Sequence, residues 1–122
     1  MTLHCPDNAQ TRGLLNAQTL SRLKPGAIIV NTVRGDLLDD LDALRTGHLA
    51  AAAIATLAEE PARDHSLLAA WRNREDWLAG CLVVTPHNAF YSDHAAIEMR
   101  HNTAMTVKIL LERKHLRNRV EA

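Results

Sequence analysis

A chain of 122 residues that is 47% hydrophobic can bury one core and has little length for a second independent domain. Lys+Arg and Asp+Glu both number 14, so the formal net charge is zero and any general pull toward nucleic acid or an anionic membrane is excluded as a starting point. Cys5 and Cys81 lie far apart with no CxxC spacing, and neither a secretory leader nor a long apolar run is present, which predicts a reducing, cytoplasmic setting.

Leu3 runs into "HCPDNAQTR", where Pro6, Asp7 and Asn8 favour a turn, so the chain is expected to open on the end of a strand. Asn16 suits the N-cap of a short helix through Leu23, stopped by Lys24, Pro25 and Gly26. "AIIVNTV" follows, with the β-branched and apolar makeup of a strand covered on both faces. "DDLDALRTGH" offers acidic residues at an N-terminus, Leu41 and Leu44 as apolar contacts, and Gly47 as a C-cap, so a short helix is predicted.

"LAAAAIATLAEEP" sets propensity against context: alanine favours helix, but a parallel α/β sheet needs a strand between the flanking helices. Context decides, and a strand is expected at about Leu49 to Thr56. "SLLAAWRNREDWL" has helical periodicity with bulk from Trp71 and Trp77, and "CLVVT" supplies the last strand. From Ser92, a suitable N-cap, a long helix is predicted to about Lys114, with a stripe of Ala96, Met99, Thr103, Val107 and Leu110 widened by Ile97, Ala104 and Leu111. The basic tail of Lys108, Arg113, Lys114, His115, Arg117 and Arg119 reads as a solvated helix end rather than a phosphate site.

This order is that of the second half of a doubly wound, Rossmann-type parallel sheet with a long C-terminal helix. The five glycines, Gly13, Gly26, Gly35, Gly47 and Gly80, form no Gly-rich turn of the kind that holds a pyrophosphate at a helix N-terminus.

Arg34, the pair Glu59 and Glu60, and His87 follow three of the expected strands, and ligands of open α/β sheets sit outside the carboxyl ends of strands. An arginine binds a carboxylate in two-pronged fashion, a histidine exchanges protons near neutrality, and a carboxylate beside it favours the imidazolium. The trio suits reduction of a 2-oxo acid by a hydride that a cofactor must bring. Taken singly, Arg34 reads as a turn residue, Glu60 as a loop charge and His87 as a satisfied strand-end histidine. His94 and His101, seven residues apart and without an HExxH, give no metal site, and neither Ser92 nor Cys5 has a base or elbow that would make it a nucleophile.

"LHCPDNAQTRGLLNAQTLSRLKPGAIIVNTVRGDLLD", followed by "EEP" and "TPH", resembles the C-terminal part of the D-isomer-specific 2-hydroxyacid dehydrogenases. "TPHNAFYSDHAAIEMR" is similar to the branch containing the C-terminal-binding-protein corepressors. The resemblance implies that Arg34 binds the substrate carboxylate, that Glu60 pairs with the catalytic histidine, and that His87 is that histidine. It further implies NAD as cofactor, with Cys5, Pro6, Thr32, Val33 and His87 along the dinucleotide groove, and Phe90 and Tyr91 shaping the substrate pocket.

Two positions depart from the family's pattern: Ala55 stands where an aspartate usually meets the nicotinamide carboxamide, and the Arg34 to Gly47 segment is about one helical turn short. Residues 1–91 are accordingly expected to form the second half of an NAD-binding domain, and 92–122 a helix and tail that would pack on a substrate domain. The expected function is that of a dehydrogenase fragment, inactive by itself, whose parent interconverts 2-oxo acids and D-2-hydroxy acids. The alternative is an inactive paralogue acting as a protein-binding or dimerising module. Homo-oligomers are expected in either case, because half a sheet leaves an edge unpaired.

Overall fold

In the computed structural model, residues 1–38, 42–63 and 65–113 are described. Four strands, β1 (Thr2–Leu3), β2 (Ala27–Asn31), β3 (Leu49–Ile54) and β4 (Leu82–Val84), alternate with helices α1 (Ala17–Leu20), α2 (Asp42–Arg45) and α3 (Ser66–Arg72). A long helix, α4 (Asp93–Arg113), follows. The chain divides into two compact units, residues 1–89 and 90–122.

In the first unit the strands form one parallel sheet in the order β1-β2-β3-β4, with Leu3 opposite Asn31, Asn31 opposite Ile54, and Ile54 opposite Val84. The expected half of a doubly wound α/β sheet is therefore present. The alanine-rich segment is a strand because it is paired along both edges, and ladder bonds outweigh a per-residue helix preference of a few tenths of a kcal/mol.

Local chemistry sets the helix ends. Asn16 Oδ1 accepts the Thr19 N–H at 3.1 Å while Thr19 Oγ1 accepts the Asn16 N–H at 2.9 Å, a reciprocal cap that starts α1. The helix stops at Leu20 rather than Leu23, since the chain tightens into bonds from Arg22 to Thr19 and Leu23 to Leu20, and Lys24 precedes a proline that disfavours helical geometry. The helix expected through Leu78 also breaks: α3 ends at Arg72, Arg74 adopts a left-handed φ of 55°, and a separate 3-10 turn covers Asp76–Leu78.

Three connections all step in the same direction across the sheet. Right-handed crossovers then place every connecting helix on one face. Burial agrees: Ile29, Asn31, Ala52, Ile54 and Leu82 point into a core with Leu20, Leu44 and Leu67. On the other face Ile28 is 54% and Val83 59% exposed. The expectation that "AIIVNTV" is covered on both faces is thus corrected, for covering the second face needs a crossover in the opposite direction. An open apolar face beside the unpaired outer edge of β1 predicts self-association. Sedimentation velocity should show dimers or larger species that shrink in an Ile28→Thr, Val83→Thr double variant; a monomer at all concentrations would contradict this.

In the second unit, Ser92 Oγ accepts the Ala95 N–H at 3.1 Å and so caps α4. Ile97, Val107 and Leu111 are exposed along it. No helix among the described residues is long and apolar enough to cross a membrane. The predicted helix end at Lys114, and the basic residues His115, Arg117 and Arg119, lie outside the described residues.

Candidate active site

The carboxyl ends of the strands carry the polar residues. After β4 the chain turns through Pro86 into His87, whose N–H donates to Ala55 O at 2.9 Å, tying this turn to the end of β3. His87 has a φ of 51°, in the left-handed region that few non-glycine residues occupy, so its backbone is held in a conformation fixed by its surroundings. Its Nδ1 meets Glu60 Oε2 at 2.6 Å, and Glu60 Oε1 accepts the Leu57 N–H at 3.2 Å. Both carboxylate oxygens are thereby used, and the glutamate is locked to its own loop on one side and to the imidazole on the other. A carboxylate fixing one ring nitrogen selects which nitrogen exchanges protons with a ligand.

The hydrogen bond from His87 holds the Glu60 carboxyl below its ordinary value of 4.5, assisted by the Leu57 N–H and the charge of Arg34 and opposed by slight burial. A lowered carboxylate contributes stability above its unfolded value and loses it as pH falls through the folded one. Since the side chain is 37% exposed, solvent screens much of this. Acid denaturation followed by circular dichroism should therefore begin below pH 4.5, and Glu60→Gln should flatten that limb; identical acid profiles would refute the coupling.

Arg34 follows β2 in extended conformation with an exposed side chain, and its charge reaches both Glu60 and Asp7. Arg34, Glu60 and His87 are thus brought into one neighbourhood from three strand ends, whereas Glu59 is an exposed loop residue. The shortened segment before Gly47 does not prevent Glu60 from reaching His87.

Cys5 and Pro6 follow β1, and Thr32 and Val33 follow β2. The Leu3 to Asn31 register sets these two pairs side by side. Ala55 is buried and its side chain offers only a methyl group. Phe90 and Tyr91 belong to the second unit, where their rings meet edge to face at 6.4 Å.

Sequence reading missed Asp7, whose carboxylate takes two hydrogen bonds from Arg12, at 3.0 and 3.2 Å, and lies lowered by that contact and by the charges of Arg12 and Arg34. It also missed the buried Asn31 and Thr56. An asparagine ending an apolar strand was the available signal for the former; a threonine in an alanine-rich run gives none.

A parallel sheet in the order β1-β2-β3-β4 with polar residues gathered at its carboxyl ends has the architecture of nucleotide-binding α/β domains. Residues 1–89 match the family model described as D-isomer specific 2-hydroxyacid dehydrogenase, NAD binding domain, and the chain belongs to that family. It is 38% identical over 119 residues to a provisionally named 2-hydroxyacid dehydrogenase of Haemophilus influenzae, covering 94% of this chain and 36% of that protein. With the D-3-phosphoglycerate dehydrogenase of Mycobacterium leprae it shares 33% identity over 114 residues, 91% of this chain and 20% of the relative. A solved D-lactate dehydrogenase of Treponema pallidum superposes with a TM-score of 0.77 at 26% identity, over 99% of this chain and 39% of that one. A structure from Xanthobacter autotrophicus, in complex with NADPH and MES, gives 0.74 at 28% identity, over 98% and 47%. The chain therefore spans less than half the length of each of these relatives.

Proposed function

We propose that this chain carries the catalytic side of an NAD-dependent D-2-hydroxyacid dehydrogenase, with Arg34, Glu60 and His87 as the acting residues. The observation that supports this most is the 2.6 Å contact between Glu60 and His87 Nδ1 at the ends of neighbouring parallel strands. The cofactor fits in part. Cys5, Pro6, Thr32 and Val33 stand at adjacent strand ends and would hold the nicotinamide side, but Gly26, Gly47 and Gly80 lie just before strands, and Gly13 and Gly35, which do fall between a strand and a helix, each stand singly, so the described residues contribute no Gly-rich pyrophosphate cradle. When bound, the cofactor supplies the hydride.

The chain's own residues do the rest. The Arg34 guanidinium pairs with the carboxylate of the 2-oxo acid and draws electron density from its carbonyl. With Nδ1 committed to Glu60, His87 passes its proton through Nε2 to the developing alkoxide, and in the reverse direction recovers it. Glu60 orients the ring and balances the imidazolium's charge. Ala55 cannot accept a hydrogen bond from the carboxamide, so orientation of the nicotinamide falls to other groups.

A saturable NADH titration of the purified chain, read by fluorescence and ligand-observed NMR and weakened by Arg34→Ala only when a 2-oxo acid is present, is the expected result. Absence of binding up to millimolar cofactor would favour the second reading, a binding or dimerising module. That reading draws its support from the open face carrying Ile28 and Val83, and a likeness to the corepressor branch belongs with it.

A further inference from the structure

Two polar side chains are buried among the described residues, Asn31 at 0% and Thr56 at 3% exposure, and both are directed at the same short turn, residues 32–34. Asn31 Nδ2 donates to Arg34 O at 2.8 Å and its Oδ1 accepts the Val33 N–H at 3.1 Å, so one amide closes the turn from both ends. From just beyond the end of β3, Thr56 Oγ1 donates to Val33 O at 3.3 Å. That same carbonyl accepts Arg34 Nη1 at 3.1 Å, which sets the direction of the guanidinium. A buried amide is costly unless its donors and acceptors are used, and here the partners are the backbone groups that carry the arginine rather than the ladder of the sheet.

We propose that Asn31 and Thr56 are positioning residues, which fix the 32–34 turn and so the place of the Arg34 guanidinium relative to the Glu60–His87 pair. The inference rests on the carboxylate-binding role proposed for Arg34. Neither side chain touches substrate in it. Asn31 closes the turn within β2's own continuation, and Thr56 ties that turn to β3, the strand whose following loop bears Glu60. The arginine and the glutamate are therefore set relative to one another through Val33 O, although they follow different strands. The apparatus is polar on purely apolar surroundings: Ile29 and Ile54, close by in the sheet, are buried with no polar atom to place.

The test uses the whole chain labelled with 15N-arginine, with the Arg34 Nε–H signal assigned by its loss in Arg34→Lys, and oxamate with NADH as the carboxylate probe. Asn31→Leu and Thr56→Val should each move the Arg34 signal to the averaged position of freely rotating arginines and weaken oxamate about tenfold, the effect of losing one well-placed charged hydrogen bond. Thr56→Ser, which keeps the hydroxyl, should restore both, while backbone amides of Ile29 and Ala52 stay in place throughout. Should Asn31→Leu fail to fold, Asn31→Ser and the threonine pair carry the comparison. An unmoved Arg34 signal in a folded Thr56→Val chain overturns the positioning role. If the unaltered chain takes up no oxamate, the carboxylate reading of Arg34 falls instead, and the arginine signal alone decides the positioning.

Discussion

Replacing Gly35 with alanine is expected to destabilise the first unit by ~3 kcal/mol or more, at the upper end of overpacking costs. Gly35 is buried directly after Arg34, and a Cβ placed on it would overlap the backbone of Leu57 and Ala58. Backbone cannot rotate away as a side-chain tip can, so one of the two chain segments must move. Those segments carry Arg34 on one side and the Leu57 N–H that holds Glu60 on the other. Gly35→Ala should therefore lower the urea midpoint sharply and, in whatever fraction folds, loosen the Glu60–His87 contact. Thr32→Ala, an exposed neighbour in the same turn, should change the midpoint little. A Gly35→Ala chain as stable as its parent would mean that the close approach of the two loops is not a constraint on this fold.

The same approach explains what the sequence revealed and what it withheld. The strand at Leu49 was legible because its neighbours demanded a strand, even though its alanines argue for helix; pairing is non-local and overrides propensity. That Arg34, Glu60 and His87 follow strand ends was legible because those ends are marked by the breaks in "NTVRG", "EEP" and "TPH". That Glu60 pairs with His87 was expected from the family resemblance; the geometry that brings Nδ1 to 2.6 Å was not legible, since it depends on the β3 to β4 register and on the φ of 51° that His87 adopts. Nor was the open sheet face. An apolar run such as "AIIVNTV" records that both sides of a strand avoid water, yet which side is covered depends on the direction of three crossovers. Gly35 was read as one glycine of five; only the packing of Leu57 and Ala58 separates it from Gly26 and Gly80, which sit in turns with open space about them.

The second large effect concerns catalysis. In a chimaera that joins this chain to the amino-terminal part of the Haemophilus influenzae relative, His87→Ala is expected to lower kcat by about 10²- to 10⁴-fold, the range for loss of a general acid. KM for the 2-oxo acid should hardly change, because the imidazole acts as charge develops rather than in the resting complex. Arg34→Ala should do the converse in part, raising KM strongly, since in the proposed role its guanidinium grips the carboxylate before and during reaction. Glu60→Gln keeps a side chain that can still meet Nδ1 but removes the charge, and an intermediate loss confined to kcat is expected. This division of effects separates a working acid–base pair from a structural one. If His87→Ala left kcat within tenfold of the unaltered chimaera, the contact with Glu60 would be holding the β3 and β4 loops together and nothing more. Were the unaltered chimaera itself inactive while folded and able to bind NADH, Ala55 would be the first position to restore: Ala55→Asp places an acceptor at the end of β3, and turnover appearing with it would locate the defect in nicotinamide orientation rather than in the proton-transfer pair.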